Sequence, residues 1–445
     1  MSETVRGSVV IYGGGVGGAV LAKRLSRDLA VTLVDPHDYF EVPMAAPRNL
    51  VRPVFADQAI LPFAEAMPEV EHIRGKLVKL TPRGGIVEYQ DGSLGPVSAD
   101  ISVLATGSRL ANDLMRASHG SASARKEFYE RFNVRLQDAQ RILIVGGGPI
   151  GVEFAGEVSE TYPGKHVTIV ESGKRLLAGT SAAAAAQAAR VLTARGVTII
   201  TGERLEGAGR PSDGVFADGG EMVTNAGRTI PYDLIVWCTG GRPNTSYMAS
   251  EFDGALDDNG RIRVTPDLRV MGQERLFAIG DITDLNETKM AAFVRGHVKV
   301  AEANIRALLS NSPSIRFTTY RAQTDNPLMA VTLGSRTGVT QLPILGLVKS
   351  AWLNRKAKAE KMLVPITAKC SAPKRSYACP KLGDKPMISE LTKWSVAVGV
   401  AVLLALIGDI KVPLAAGTEG NRLTAATVQS AIELPVNRGA ATWWR

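Results

Sequence analysis

The stretch SVVIYGGGVGGAVLAKRLSRDLAVTLVD, residues 8–35, decides the fold. Ser8–Tyr12 is a short apolar run that reads as a strand. Gly13-Gly14-Gly15-Val16-Gly17-Gly18 is a turn, and residues 19–29 have apolar positions at helical spacing. A second strand-like run, Val31–Val34, ends at Asp35. Gly13-x-Gly15-x-x-Gly18 therefore follows a strand and opens a helix, with an acid 20 residues after Gly15. In that context the pattern predicts a dinucleotide site. The glycines, Gly17 among them, allow a tight turn and close approach of a pyrophosphate to a helix N-terminus. The acid accepts from ribose hydroxyls. A merely structural glycine turn requires neither the flanking elements nor the acid.

The same order returns at 141–171. RILIV leads into GGGPIG, then VEFAGEVSETY, then HVTIVE. Gly146, Gly148 and Gly151 repeat the fingerprint and Glu171 repeats the terminal acid. Two such units imply two dinucleotides and an α/β fold with two Rossmann-like domains. A carboxylate at 171 repels a 2′-phosphate, which favours NADH over NADPH. Lys174 and Arg175 stand close by; they either soften that preference or are solvated charges. Further strands are predicted at 76–80, 86–89, 101–105, 197–200, 234–238, 261–264 and 276–279. Helices are predicted at 126–137, 182–195 and 290–309, and a small hairpin-rich piece at 327–342.

Charge is unevenly spread over the 445 residues. Residues 331–445 hold 16 Lys+Arg and 6 Asp+Glu, whereas the first 330 hold 36 and 37. A near-neutral body with a basic tail argues against a generally nucleic-acid-binding protein. Cys238, Cys370 and Cys379 are too few for a disulfide scaffold. No signal-peptide pattern precedes Ser8, so the body reads as cytoplasmic. No His/Cys/carboxylate cluster has metal spacing. His37, His72, His119, His166 and His297 are scattered, and none is nominated as catalytic.

Three further segments carry a family resemblance. Leu104-Ala105-Thr106-Gly107 resembles the first interdomain crossover of flavoproteins with two dinucleotide-binding domains. The run from Cys238 through Gly240 to Asn244 resembles the second crossover, and Leu276–Asp281 the late flavin motif. Within that superfamily, GGGPIGVEFAGEVSETYPGKHVTIVES and LFAIGDITDLNETKMAAFVRGHVKVAEANI are similar to flavoproteins of the apoptosis-inducing-factor and ferroptosis-suppressor type. Those are NAD(P)H:quinone oxidoreductases related to type II NADH dehydrogenases. The likeness covers about 8–365. It implies that the first fingerprint takes FAD and the second NADH or NADPH. By the same resemblance, Arg48 contacts FAD, Leu77 offers its backbone to adenine, and Thr106 and Gly107 line the flavin. Asp281 holds the ribityl chain, and Lys289 and Glu153 sit at the flavin and nicotinamide as candidate catalytic groups. The redox cysteine pair of the disulfide reductases is missing, because 40–55 contains no cysteine.

The implied organisation is an FAD domain (1–112 and 250–312), an NAD(P)H domain (113–249), a small α+β C-terminal piece (313–365) and an extension (366–445). The implied acceptor is a quinone. Ferredoxin or rubredoxin reduction, and a redox-sensing role with little turnover, are the rival readings. Lys349–Lys393 has 11 basic and 3 acidic residues, and Trp352 lies in its apolar part. That composition suits an anionic membrane surface. Trp394–Gly408, 15 residues, is short for a span unless Lys393 and Lys411 snorkel. The residues decide neither the oligomeric state nor a role for the last segment.

Overall fold

A computed structural model describes residues 7–109, 120–206, 216–248, 252–310, 314–322, 329–342 and 346–348. His119, the basic segment from Lys349, Cys370, Cys379 and Trp394–Gly408 lie outside the described residues.

The chain lays down β1 (Ser8–Tyr12), β2 (Ala30–Asp35), β3 (Glu71–Thr81), β4 (Gly84–Tyr89), β5 (Leu94–Val97) and β6 (Ile101–Leu104). It continues through β7 (Arg141–Val145), β8 (His166–Glu171), β9 (Thr198–Thr201), β10 (Phe216–Val223) and β11 (Thr229–Trp237). It then returns with β12 (Leu276–Ala278) and ends in β13 (Met329–Thr332), β14 (Gly338–Leu342) and β15 (Gly346–Val348). The first sheet has the order β12-β6-β1-β2-β3-β4-β5, and the second β9-β8-β7-β11-β10. In each, the fingerprint strand is central and parallel to both neighbours. Such a strand is buried on both faces, which is why Val9–Tyr12 and Ile142–Val145 are unbroken apolar runs. The strand order reverses at β1 and at β7. Ligands of open α/β sheets bind in the crevice at such a switch point, beyond the carboxyl ends of the strands.

Among the described residues, the helices that bear on the site are α1 (Val16–Leu25), α2 (Ala46–Val51), α3 (Ala122–Asp138), α4 (Pro149–Thr161), α5 (Ala182–Ala194) and α6 (Ala291–Leu309). Helices α3 and α5 start at Ser121 and Ser181, whose hydroxyls accept from Ala124 N and Ala184 N. Each cap contributes about 1 kcal/mol. The core of the second sheet takes in Leu50 and Val51 of α2 and Met329, Val331 and Val339 of the final hairpin. The three parts of the chain thus share one apolar contact region around α4. Gly156 of α4 makes this possible, since a side chain there would run into the Leu333 backbone.

One sequence expectation is corrected, and one strand has no signal in the sequence. Residues 261–264 form no strand and enter only isolated bridges through Ile262 and Val264. The Asp257 carboxylate accepts from the Asn259 and Arg261 amides, which bends the chain before pairing can extend. Strand β10 is the one without a sequence signal. Its sequence, FADGGEMV, has two adjacent glycines and two acids, a poor strand composition. It is held by antiparallel pairing with the apolar β11.

Candidate functional site

The two glycine loops are near-copies. Gly13 and Gly146 both have φ +109°, a conformation in which a side chain is strained. Gly13 N donates to Val34 O and Gly146 N to Val170 O, each at 2.8 Å. Gly14 N donates to Asp35 Oδ2 at 2.5 Å and Gly147 N to Glu171 Oε2 at 2.6 Å. A Cβ on Gly18 or Gly151 would collide with the carbonyl oxygen of Gly13 or Gly146. The N-caps of α1 and α4, Gly15 and Gly148, supply no side-chain cap, and neither first turn contains an acid. Both helices therefore offer uncapped N–H groups and a positive dipole end, the requirements of a phosphate site. At the second loop there is open space as well: a Cβ on Gly148 or Gly240 would meet nothing within 4 Å. The residues fit a dinucleotide at each loop.

Asp35 is buried, which pushes its carboxyl up. The His37 hydrogen bond at 2.7 Å, the His37 charge and the Gly14 and His37 amides outweigh that and hold it below the ordinary range. Asp35 stays an anion and thus an acceptor. Leu77 is buried beside Tyr12, Val34 and Val87, at a register shift between Leu77 and Lys79. Such a bulge re-aims the backbone locally.

The two crossovers clasp each other. Thr106 Oγ1 donates to Asn244 O at 2.7 Å and lies 2.8 Å from the Tyr247 hydroxyl. Asn244 returns its amide N–H to Gly107 O and its Nδ2 to Thr106 O. Ser108 pairs with Pro243, and the Ser108 hydroxyl donates to Asp281 Oδ2 at 2.9 Å. Thr106, Gly107, Asp281 and the end of the second crossover thus meet, although up to 175 residues separate them in sequence.

The other nominated residues have protein partners that the sequence did not announce. Arg48 is buried and donates from Nε (3.0 Å) and Nη2 (2.6 Å) to Glu157 Oε1, joining α2 to α4. Glu153, one turn earlier on α4, accepts from Thr332 N (2.9 Å) and Thr332 Oγ1 (3.2 Å) of β13. Lys289 is half-buried and donates to Thr283 O and Leu285 O at 2.9 and 2.8 Å. Burial, with the Arg261 charge, holds its ammonium below the usual lysine range. Sequence reasoning passed over Glu157 and His297. His297 is buried and accepts from the Gly280 amide, next to Asp281. No local spacing marks either residue.

At the second loop, Glu171 accepts from the amides of both Gly147 and Gly173. Arg175 donates to Ala178 O and Thr180 O, so its guanidinium is engaged in its own turn, whereas Lys174 is exposed. Glu171→Gln is expected to shift the NADPH-to-NADH ratio of kcat/KM toward NADPH by about tenfold, chiefly through tighter NADPH binding. Comparison of kcat/KM for the two nucleotides checks this. An unchanged ratio would remove Glu171 from the specificity determinants.

A family model described as pyridine nucleotide-disulphide oxidoreductase matches residues 7–305. The chain belongs to that family. Like its other members, it is a flavoprotein oxidoreductase whose cofactors are FAD and NAD(P)H. Ferroptosis suppressor protein 1 of Taeniopygia guttata is 30% identical over 307 residues, 68% of this chain and 82% of that protein. Apoptosis-inducing factor homolog B of Dictyostelium discoideum is 27% identical over 350 residues, 75% of this chain and 89% of the relative. Among solved structures, NDH2 from Plasmodium falciparum in complex with NADH superposes with a TM-score of 0.63 at 12% identity, covering 82% and 97% of the two chains. The sulfide:quinone oxidoreductase of Aquifex aeolicus gives 0.61 at 18%, covering 82% and 92%. At those identities the likeness is one of fold. Among the described residues, no group of His, Cys, Asp or Glu is arranged to hold a metal, and no helix is long and apolar enough to cross a membrane.

Proposed function

We propose that this FAD-dependent NAD(P)H oxidoreductase prefers NADH and passes its electrons to a quinone. The carrying observation is the pair of equivalent loops, each uncapped at its helix and each backed by an acid. When bound, the flavin supplies hydride acceptance and stepwise electron release. The first loop, Asp35, Arg48, Leu77, Thr106, Gly107 and Asp281 hold it in this reading. Gly146, Gly148, Gly151 and Glu171 hold the nicotinamide nucleotide, and Gly240 leaves room for it. Glu153 and Lys289 act at the meeting of the two as positioning groups, because their charges already engage protein atoms. Hydride transfer needs orientation and exclusion of water more than a proton relay. In this reading the FAD domain comprises 1–112 and 250–312, and the NAD(P)H domain 113–249.

Electron disposal at a quinone is supported by the absence of cysteine from 40–55, which removes a protein disulfide as the exit there. The resemblance to quinone-reducing flavoproteins supports it further. The basic segment 349–393 suits a peripheral seat on an anionic membrane, where quinones dissolve. Anaerobic stopped-flow tests the reading: NADH should bleach the flavin faster than NADPH does. Reoxidation should then be fast with quinone in anionic vesicles, slower in neutral vesicles, and slow with ferredoxin or oxygen. Faster reoxidation by ferredoxin overturns the quinone assignment. Slow reoxidation by all of them points to a redox-sensing role. Equal rates in the two vesicle types remove the membrane seat.

A further inference from the structure

The turn bearing Asp281 is held from behind by a buried hydrogen-bonded chain. Gly280 has φ +82°, and its amide donates to His297 Nδ1 at 3.0 Å. An amide can only donate, so Nδ1 carries no proton and the ring's proton sits on Nε2. Nε2 lies 2.8 Å from Glu287 Oε1, and the Tyr320 hydroxyl donates to Glu287 Oε2 at 2.7 Å. The His297 and Glu287 side chains are each 1% exposed. The Tyr320 ring stands edge-on to the imidazole at 4.5 Å, and Gly296 leaves room for it on α6. Tyr320 is itself fixed, its amide donating to Pro266 O at 2.7 Å. On the other side of the turn, Ile279 N donates to Leu104 O of β6.

The geometry explains the choice of groups. A carboxylate on Nε2 selects the tautomer that leaves Nδ1 free to accept, and a phenol orients that carboxylate. This is the logic by which a positioned imidazole is usually held. Here its product is a fixed backbone amide one residue before a ligand-facing acid. We propose that Tyr320, Glu287 and His297 form a positioning relay that sets the Gly280–Asp281 turn for the bound flavin. The inference rests on the reading that Asp281 faces the flavin.

Substitutions at His297 in the full-length holoprotein test it, read by the rate of FAD release and by the thermal midpoint. His297→Asn keeps an acceptor where Nδ1 stood, and should release flavin within about threefold of the parent rate. His297→Gln and His297→Phe lose that acceptor and should release it about tenfold faster. A packing role alone reverses the order, because Phe preserves ring volume and Asn does not. Equal or faster release from His297→Asn than from His297→Phe therefore overturns the relay. Tyr320→Phe keeps the ring but frees one Glu287 oxygen, as His297→Asn also does, and about threefold faster release is expected. No change there removes Tyr320 from the relay. Asp281→Ala separates the two inferences. If it leaves FAD release unchanged, the placement of Asp281 at the flavin is wrong. If it accelerates release while the His297 series stays flat, only the relay is wrong.

Discussion

Replacing Glu157 with glutamine is expected to cost about 3 kcal/mol of folding stability. Arg48 is 2% exposed, Glu157 is fully buried, and two guanidinium nitrogens meet one carboxylate oxygen. Burial pushes the Glu157 carboxyl up, and the Arg48 hydrogen bond and charge oppose that. Glutamine keeps the shape and one acceptor but removes the negative charge that faces the buried guanidinium. Removing one member of such a pair is far costlier than replacing both with apolar groups. The pair also spans α2 and α4, so it ties the first sheet's unit to the second's. Urea unfolding at saturating FAD measures the effect. The glutamate side is the one to change, because Arg48 is also a proposed flavin contact. Glu157→Leu with Arg48→Met should recover much of the loss, though flavin affinity falls. A loss below about 1 kcal/mol for Glu157→Gln would mean that the pair is not the tie described.

The second large effect is expected from Gly151→Ala: about a hundredfold lower kcat/KM for NADH with flavin content unchanged. A Cβ there lies against the Gly146 carbonyl, and Ile144 Cγ2 is 3.2 Å away. Helix α4 must therefore shift outward, carrying its uncapped N-terminus off the nucleotide. Displacements on the order of 1 Å cost about that much in rate. Gly18→Ala makes the same collision at the first loop. It should instead yield protein purified with little FAD. Flavin absorbance and NADH kinetics on both variants decide. If both lose the same function, the loops do not serve separate dinucleotides.

What the sequence disclosed was local or short-period. Glycine spacing, the apolar β1 and β7 and their terminal acids lie within some 30 residues of one another, so both fingerprints could be read directly. The crossovers and the Asp281 segment were legible through resemblance. What stayed hidden depends on distant pairing. Arg125, fully buried, meets Glu41 across 84 positions, and Arg48 meets Glu157 across 109. Nothing near Glu153 announces Thr332. His297 looked like one of five scattered histidines, and its role depends on a backbone amide 17 residues earlier and on a tyrosine beyond the helix. Periodicity also misjudged Arg261–Val264, where alternation was real but a carboxylate-capped turn intervened.

The equivalence of the two glycine loops bears on how the chain tells its ligands apart. Matching torsion, matching strand bonds and matching bare helix ends make each loop the same grip on a pyrophosphate. The terminal acids can sort one ribose from another, but a flavin and a nicotinamide must be told apart at the opposite end of each molecule, where the two halves of the chain cease to resemble each other. The handle is a repeated part and the reading head is not.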